Sequence, residues 1–92
     1  MNITFDVVSD LFLTSMDDFS WEGKRTSLFC IVAGNIAAER DVLFEFLDEI
    51  KDYYEAVFFL DGELEHIPYK DDYAASYANL EEGLEEIDKV VF

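Results

Sequence analysis

Cationic side chains are what this chain has least of. Six Lys and Arg stand against 22 Asp and Glu in 92 residues, a formal charge of −16 at pH 7. Proteins grip a nucleic-acid backbone mainly by neutralising phosphates with Lys and Arg, so direct DNA or RNA binding is not expected. A single cysteine, Cys30, leaves no partner for an intrachain disulfide, and its place in the apolar run Ser27–Ala33 suits a buried, inert thiol. A single histidine, His66, is too few for structural zinc of the ordinary Cys/His kind, and it is expected at the surface. No apolar stretch nears the ~20 residues that span a bilayer. The N-terminus lacks the basic and then apolar segments of a secretory signal. A cytoplasmic location is therefore expected.

What is present is an ample supply of core. The chain is 51% hydrophobic and 16% aromatic, with nine Phe, five Tyr and one Trp. High charge without such residues would mean disorder; high charge with them means a folded core under a negative surface. The expected organisation is one domain, residues 1–92. Ile3–Val8 reads as a strand. Asp17–Arg25, polar around Phe19 and Trp21, reads as a loop. Leu28–Val32 is a continuous apolar run of the kind found in strands buried on both faces, ended by Gly34-Asn35. Ala37–Tyr54 has helical periodicity, with Leu43, Phe46, Leu47, Ile50 and Tyr54 on one stripe. Val57–Leu60 is a third strand, closed by Asp61-Gly62. Pro68 signals the start of a second helix over Asp71–Glu86, with Tyr73, Tyr77, Leu80, Leu84 and Ile87 on its stripe and Gly83 marking a weak turn or a close contact. Val90-Val91-Phe92 suits a final strand or an interface. The order β-β-α-β-α-β predicts an α/β fold, a small mostly parallel or mixed sheet of about four strands covered by two helices.

The charge is patterned onto the helices. Glu45, Asp48, Glu49, Asp52 and Glu55 lie largely off the apolar stripe of the first, and almost no basic residue interrupts them. Like charges three or four residues apart destabilise a helix by a few tenths of a kcal/mol per pair. Glu81, Glu82, Glu85 and Glu86 gather at the C-terminal end of the second helix, where the helix dipole disfavours anions. Stability alone would not place them there. Other chemistry is poorly represented. Asp10 follows a strand but has no second ligand beside it in sequence. Asp61, Glu63 and Glu65 have part of a calcium-loop spacing without its central Gly or terminal Glu. Ser9, Ser27 and Cys30 lack an orienting base. No catalytic residue, cofactor or metal is expected.

Two resemblances bear on these residues. Val8-Ser9-Asp10-Leu11-Phe12-Leu13 resembles the first metal-binding strand end of calcineurin-like metallophosphoesterases, Ser-Asp-Leu-His-Leu. Val32-Ala33-Gly34-Asn35-Ile36 resembles their Ala-Gly-Asp-Ile motif, and Val57 to Glu65 an apolar strand followed by Pro-Gly-Asn-His-Glu. The departures fall on the ligands. Asp10 matches the first aspartate, but Phe12 stands for its histidine partner, Asn35 for the bridging aspartate, and Glu63 and Leu64 for the asparagine and histidine of the third motif. Two-metal hydrolysis needs closely spaced ligands about a bridge, so the resemblance implies a truncated scaffold without the reaction. In length, acidity and aromatic content the chain also resembles the anti-restriction nuclease (Arn) proteins of T4-like phages. That resemblance implies a dimeric DNA mimic that blocks a host nuclease of the McrBC type, specific for modified cytosine, in the host cytoplasm.

The functional expectation is a non-enzymatic DNA mimic. Glu45, Asp48, Glu49, Asp52, Glu55, Glu81, Glu82, Glu85 and Glu86 would stand in for phosphates and occupy the basic cleft of a host restriction enzyme, with a homodimer as a further expectation. The alternative is an acidic adaptor that binds a basic protein surface without displacing DNA. A halophilic or merely soluble domain fits the Phe content less well, and an active hydrolase lacks the ligands.

Overall fold

In the computed structural model, residues 3–70 and 72–92 are described. Strands β1 (Phe5–Val8), β2 (Phe29–Ala33), β3 (Ala56–Leu60) and β4 (Val90–Val91) form one sheet, with helices α1 (Arg40–Ile50) and α2 (Tyr73–Glu85) in the connections. Two 3-10 segments, Lys51–Tyr53 and Glu63–Tyr69, complete the regular structure among the described residues. The strands lie side by side in chain order, and every neighbouring pair is parallel. The register aligns Asp6, Cys30, Val57 and Val90 in one row and Val7, Ile31, Phe58 and Val91 in the next.

Sequential order has a geometric consequence. Parallel crossovers are almost always right-handed, so strands laid down in one direction put every crossover on the same side. The burial follows this rule. Cys30, Val32, Val57 and Phe59 point inward and join Val42, Leu43, Phe46, Leu47 and Ile50 of α1 and Leu80 and Leu84 of α2 in one core. The long connection from β1 to β2 has no helix, yet it supplies the same side. Trp21 is buried there, with Leu11, Leu13, Met16 and Phe19 packed against the core. The expected loop is present, and its aromatics Phe19 and Trp21 pack into the core.

The stripe expected on the first helix is buried at all five positions. The α-helix itself is shorter, because a 3-10 turn takes over at Lys51. Tyr54, just beyond, accepts a hydrogen bond from Trp21 Nε1 (2.8 Å) and donates to Asp6 Oδ2 (2.7 Å). Buried Trp and Tyr polar atoms need such partners, and this relay ties the first crossover to β1. Thr26 donates to the same carboxylate through both its amide (2.8 Å) and its hydroxyl.

Several expectations are corrected. β2 is not buried on both faces: Phe29 and Ile31 are only partly covered and Ala33 is exposed, because no crossover lies over the outer side. Pro68 does not start α2 but sits inside the Glu63–Tyr69 segment. Asp72 caps the helix, its side chain accepting from the Ala75 amide at 3.0 Å; Asp71, the expected first residue, lies outside the described residues. Tyr73 and Tyr77 are exposed rather than on a buried stripe, and the buried residue on that part of α2 is Ser76. Gly83 does mark a close contact: a Cβ there would come within 2.3 Å of the Phe44 ring, so α1 and α2 are held side by side at this point.

Candidate functional site

Ligand and catalytic sites in parallel α/β sheets gather at the carboxyl ends of the strands. Here that edge is closed by two turns packed back to back. Gly34 has φ +70°, and a Cβ on it would meet the Gly62 backbone nitrogen at 2.7 Å. Only glycine allows both the conformation and the approach. Asp10, Phe12 and Asn35 also have positive φ. The turns leave backbone amides pointing inward without sheet partners, and buried amides must be satisfied. Glu65 does this. Its carboxylate is fully buried and accepts from the amides of Gly62 (2.8 Å), Asn35 (2.8 Å), Ile36 (2.9 Å) and Ala37 (3.1 Å). The Asn35 side chain joins the same edge, donating to Asp10 Oδ1 (3.0 Å) and accepting from the Leu64 amide (3.0 Å).

Beside it runs a second polar chain. His66 Nε2 lies 2.6 Å from Asp61 Oδ2, and its Nδ1 lies 2.6 Å from Ser76 Oγ. Arg40 donates to Ser76 Oγ (2.7 Å), to the Ser76 carbonyl (3.2 Å), to Asn79 (2.7 Å) and to the Glu65 carbonyl. Burial works to raise the Asp61 pKa, but hydrogen bonding from His66 and then Tyr77 holds its carboxyl below the ordinary carboxylate range. His66 is buried, contrary to the surface position expected for it. The 3-10 segment turns it under α2, where the sequence showed only an isolated histidine in an acidic stretch.

Asp61, His66 and Ser76 are the residue types of a hydrolytic triad, but the geometry serves packing. Ser76 is fully buried, its hydroxyl is engaged by Arg40 and it faces Nδ1, so a substrate has no approach to Oγ. The chain instead links the end of β3, the 3-10 segment, α2 and α1. Among the described residues no group of three or more His, Cys, Asp or Glu is placed to hold a metal ion. Asp10 is exposed and accepts from the Ser9 hydroxyl and from the Asn35 side-chain amide, the latter standing where the phosphoesterase pattern has an aspartate.

The nine carboxylates expected to act as phosphates lie outside this cluster, and two of them, Glu81 and Glu85, border a groove with Leu84, Val90, Val91 and Phe92 at the β4 edge of the sheet. Glu45, Asp48 and Glu49 lie on α1, Asp52 on the 3-10 turn after it, Glu55 before β3, Glu81, Glu82 and Glu85 on α2, and Glu86 at its C-cap. All nine are exposed. The ion pair among them is Lys51–Asp48, at 3.2 Å. A shallow groove of about 400 Å³ lies between the helices, lined by Phe44, Asn79, Gly83 and Ile87 with Glu82 and Glu86 on it. Glu65, His66, Ser76 and Arg40 were not singled out from sequence as a cluster. The available signal was the pair of Gly-containing turns, Gly34-Asn35 and Asp61-Gly62, at the ends of adjacent strands.

Compared with protein-family models, with curated proteins and with solved structures, the chain gives no match in any of the three.

Proposed function

We propose that this protein is a DNA mimic: an acidic inhibitor that occupies the DNA-binding cleft of a nuclease and excludes the substrate. The observation that carries the reading is the exposure of all nine helix-associated carboxylates with a single Lys among them in an ion pair. Glu45 to Asp52 spans roughly 11 Å of helix axis at the usual rises. Four carboxylates over that length give one every ~4 Å, near the ~3.4 Å per charge along one DNA strand. Exposed anions so arranged act together as a field that steers a basic cleft onto the helices. The buried strand-end cluster supports the reading differently, since it holds α1 and α2 in fixed relation and a mimic needs a rigid array.

The resemblance to the phage anti-restriction proteins nominates the first target, a McrBC-type restriction endonuclease specific for modified cytosine. The test is competition between this protein and duplex DNA for that enzyme across a salt series, with other restriction enzymes as controls. Inhibition that weakens as salt rises is expected. Replacing Glu45, Glu49, Glu82 and Glu86 together by Lys should reduce inhibition by about tenfold or more while the circular dichroism stays unchanged. Binding that leaves DNA on the enzyme would instead favour an acidic adaptor, and undiminished inhibition by the charge-reversed variant would remove the mimicry mechanism.

A further inference from the structure

The groove between the helices has an apolar floor and an anionic rim. Asn79, Glu82, Gly83, Glu86 and Ile87 recur at helical spacing, so they share one side of α2 and its last turn. With Phe44 of α1 they line an open space of about 400 Å³. The tip of the Phe44 ring abuts Gly83: the atoms nearest a Cβ there would be the three at the end of the ring, at 2.3, 2.5 and 3.1 Å. The ring edge is thus taken up by the helix, and a ring face is left to line the groove. The rim is opposite in character. Glu82 and Glu86 are exposed and one helical turn apart, at the helix end where the dipole disfavours anions. Among the described residues the ion pairs are Lys51–Asp48 and His66–Asp61, so neither glutamate has a cation. Asn79 Oδ1 already accepts from Arg40.

We propose that this groove receives an arginine side chain of the target protein, its guanidinium lying on the Phe44 ring and forked to Glu82 and Glu86. Charge complementarity selects the occupant. An apolar side chain would cover Phe44 and Ile87 but strip water from carboxylates that gain no partner, which is costly. A lysine would meet the carboxylates, but its compact ammonium is strongly hydrated. A guanidinium is planar and weakly hydrated, stacks on aromatic rings and pairs with carboxylates through two parallel N–H groups. Arginine also enters the narrow minor groove of DNA, where the phosphate potential is strongest. The groove between α1 and α2 reproduces that feature of a duplex as well as its row of charges. The inference rests on the mimicry reading for the source of the arginine, a DNA-binding cleft, and names a contact by which that cleft is held.

The test uses no nuclease, so it and the competition assay fail separately. The intact, isotopically labelled chain is titrated with N-acetyl-arginine amide and with N-acetyl-lysine amide at constant ionic strength, and its amide resonances are followed. The expected result is saturable shifts centred on Phe44, Glu82 and Gly83, with arginine bound about threefold more tightly than lysine. Glu82→Gln with Glu86→Gln should weaken arginine binding by about fivefold. Asp17→Asn with Asp18→Asn removes the same charge from exposed positions on the β1–β2 connection and should leave binding unchanged. Phe44→Leu keeps an apolar group at this partly buried position and should abolish the preference for arginine. Shifts spread over the acidic surface without saturation, equal affinity for the two amides, or equal weakening by both double variants would each overturn the proposal. Inhibition of a nuclease without any arginine preference would keep the mimicry and remove the groove contact. Arginine binding at the groove without competition against DNA would keep the contact and assign it to another basic surface.

Discussion

Single residues here do work that their type conceals. Glu65 reads as one more acid in an acidic loop, yet it is the internal acceptor for four amides at the strand ends. Its burial was not legible because surface and buried glutamates are spelled alike; only the demand of two closely packed turns distinguishes it. Glu65→Ala would leave those amides unsatisfied and should lower stability by about 3 kcal/mol, measured by urea unfolding. Glu65→Lys should fail to fold. Asp6 makes a different prediction. Desolvation works to raise its pKa, but hydrogen bonds from Thr26, Tyr54 and Ser27 outweigh it and hold the carboxyl far below its reference of 3.8. A carboxylate with a depressed folded pKa contributes stability that is present above the unfolded value and lost as pH falls toward the folded one. Acid unfolding of the native chain should therefore steepen below about pH 4, and Asp6→Asn should flatten that limb while lowering stability at neutral pH. Burial pushes the Cys30 thiol up to about 11, in keeping with the inert thiol that its sequence context suggested. Its reaction with a disulfide reagent at pH 8 should await unfolding.

Secondary-structure elements were the most legible level. Four strands, two α-helices and their order follow from alternation, apolar runs and 3.6-residue periodicity. The stripe of α1 is correct because a long amphipathic segment determines its own buried side. α2 is less so: its stripe holds at Leu80 and Leu84 but not at Tyr73 and Tyr77. There the Glu63–Tyr69 segment fills the space with His66, and a small buried Ser76 replaces a large apolar contact. A 3-10 segment carries no strong period, which is why it escaped notice. Gly83 belongs to the packing of α1 on α2. Alanine ordinarily favours a helix by about 1 kcal/mol over glycine, but a Cβ here meets Phe44. Gly83→Ala should therefore be neutral or destabilising in the native background and stabilising by up to ~1 kcal/mol in Phe44→Ala. A double-mutant cycle by thermal unfolding checks the coupling.

At the scale of the whole molecule, net charge and one-sided covering dominate. Self-repulsion at −16 lowers the stability of the compact state. The unfolding temperature should rise between about 0.02 and 0.5 M sodium chloride as the Debye length contracts from roughly 20 Å to 4 Å. A salt-independent midpoint would mean that the carboxylates are already neutralised by bound cations. The fold class was legible from composition and element order. The open face was not, since the continuous apolar run of β2 suggests cover on both sides and sequence does not say which side a crossover takes. Chain-order pairing also sets the route by which the sheet assembles. Each strand docks on the one made just before it, across connections of about 20 to 30 residues whose closure cost grows only slowly with length, so no pairing skips a strand and the sheet grows from one border to the other. β4, two residues long and joined only to β3, is the last piece of that progression and the first to come away. In native-state hydrogen exchange the Val57 amide, bonded to the Lys89 carbonyl at 2.9 Å, should open by local fraying well before the amides between β2 and β3. The C-terminal strand is thus the latch of a sheet that closes in the order in which it is synthesised.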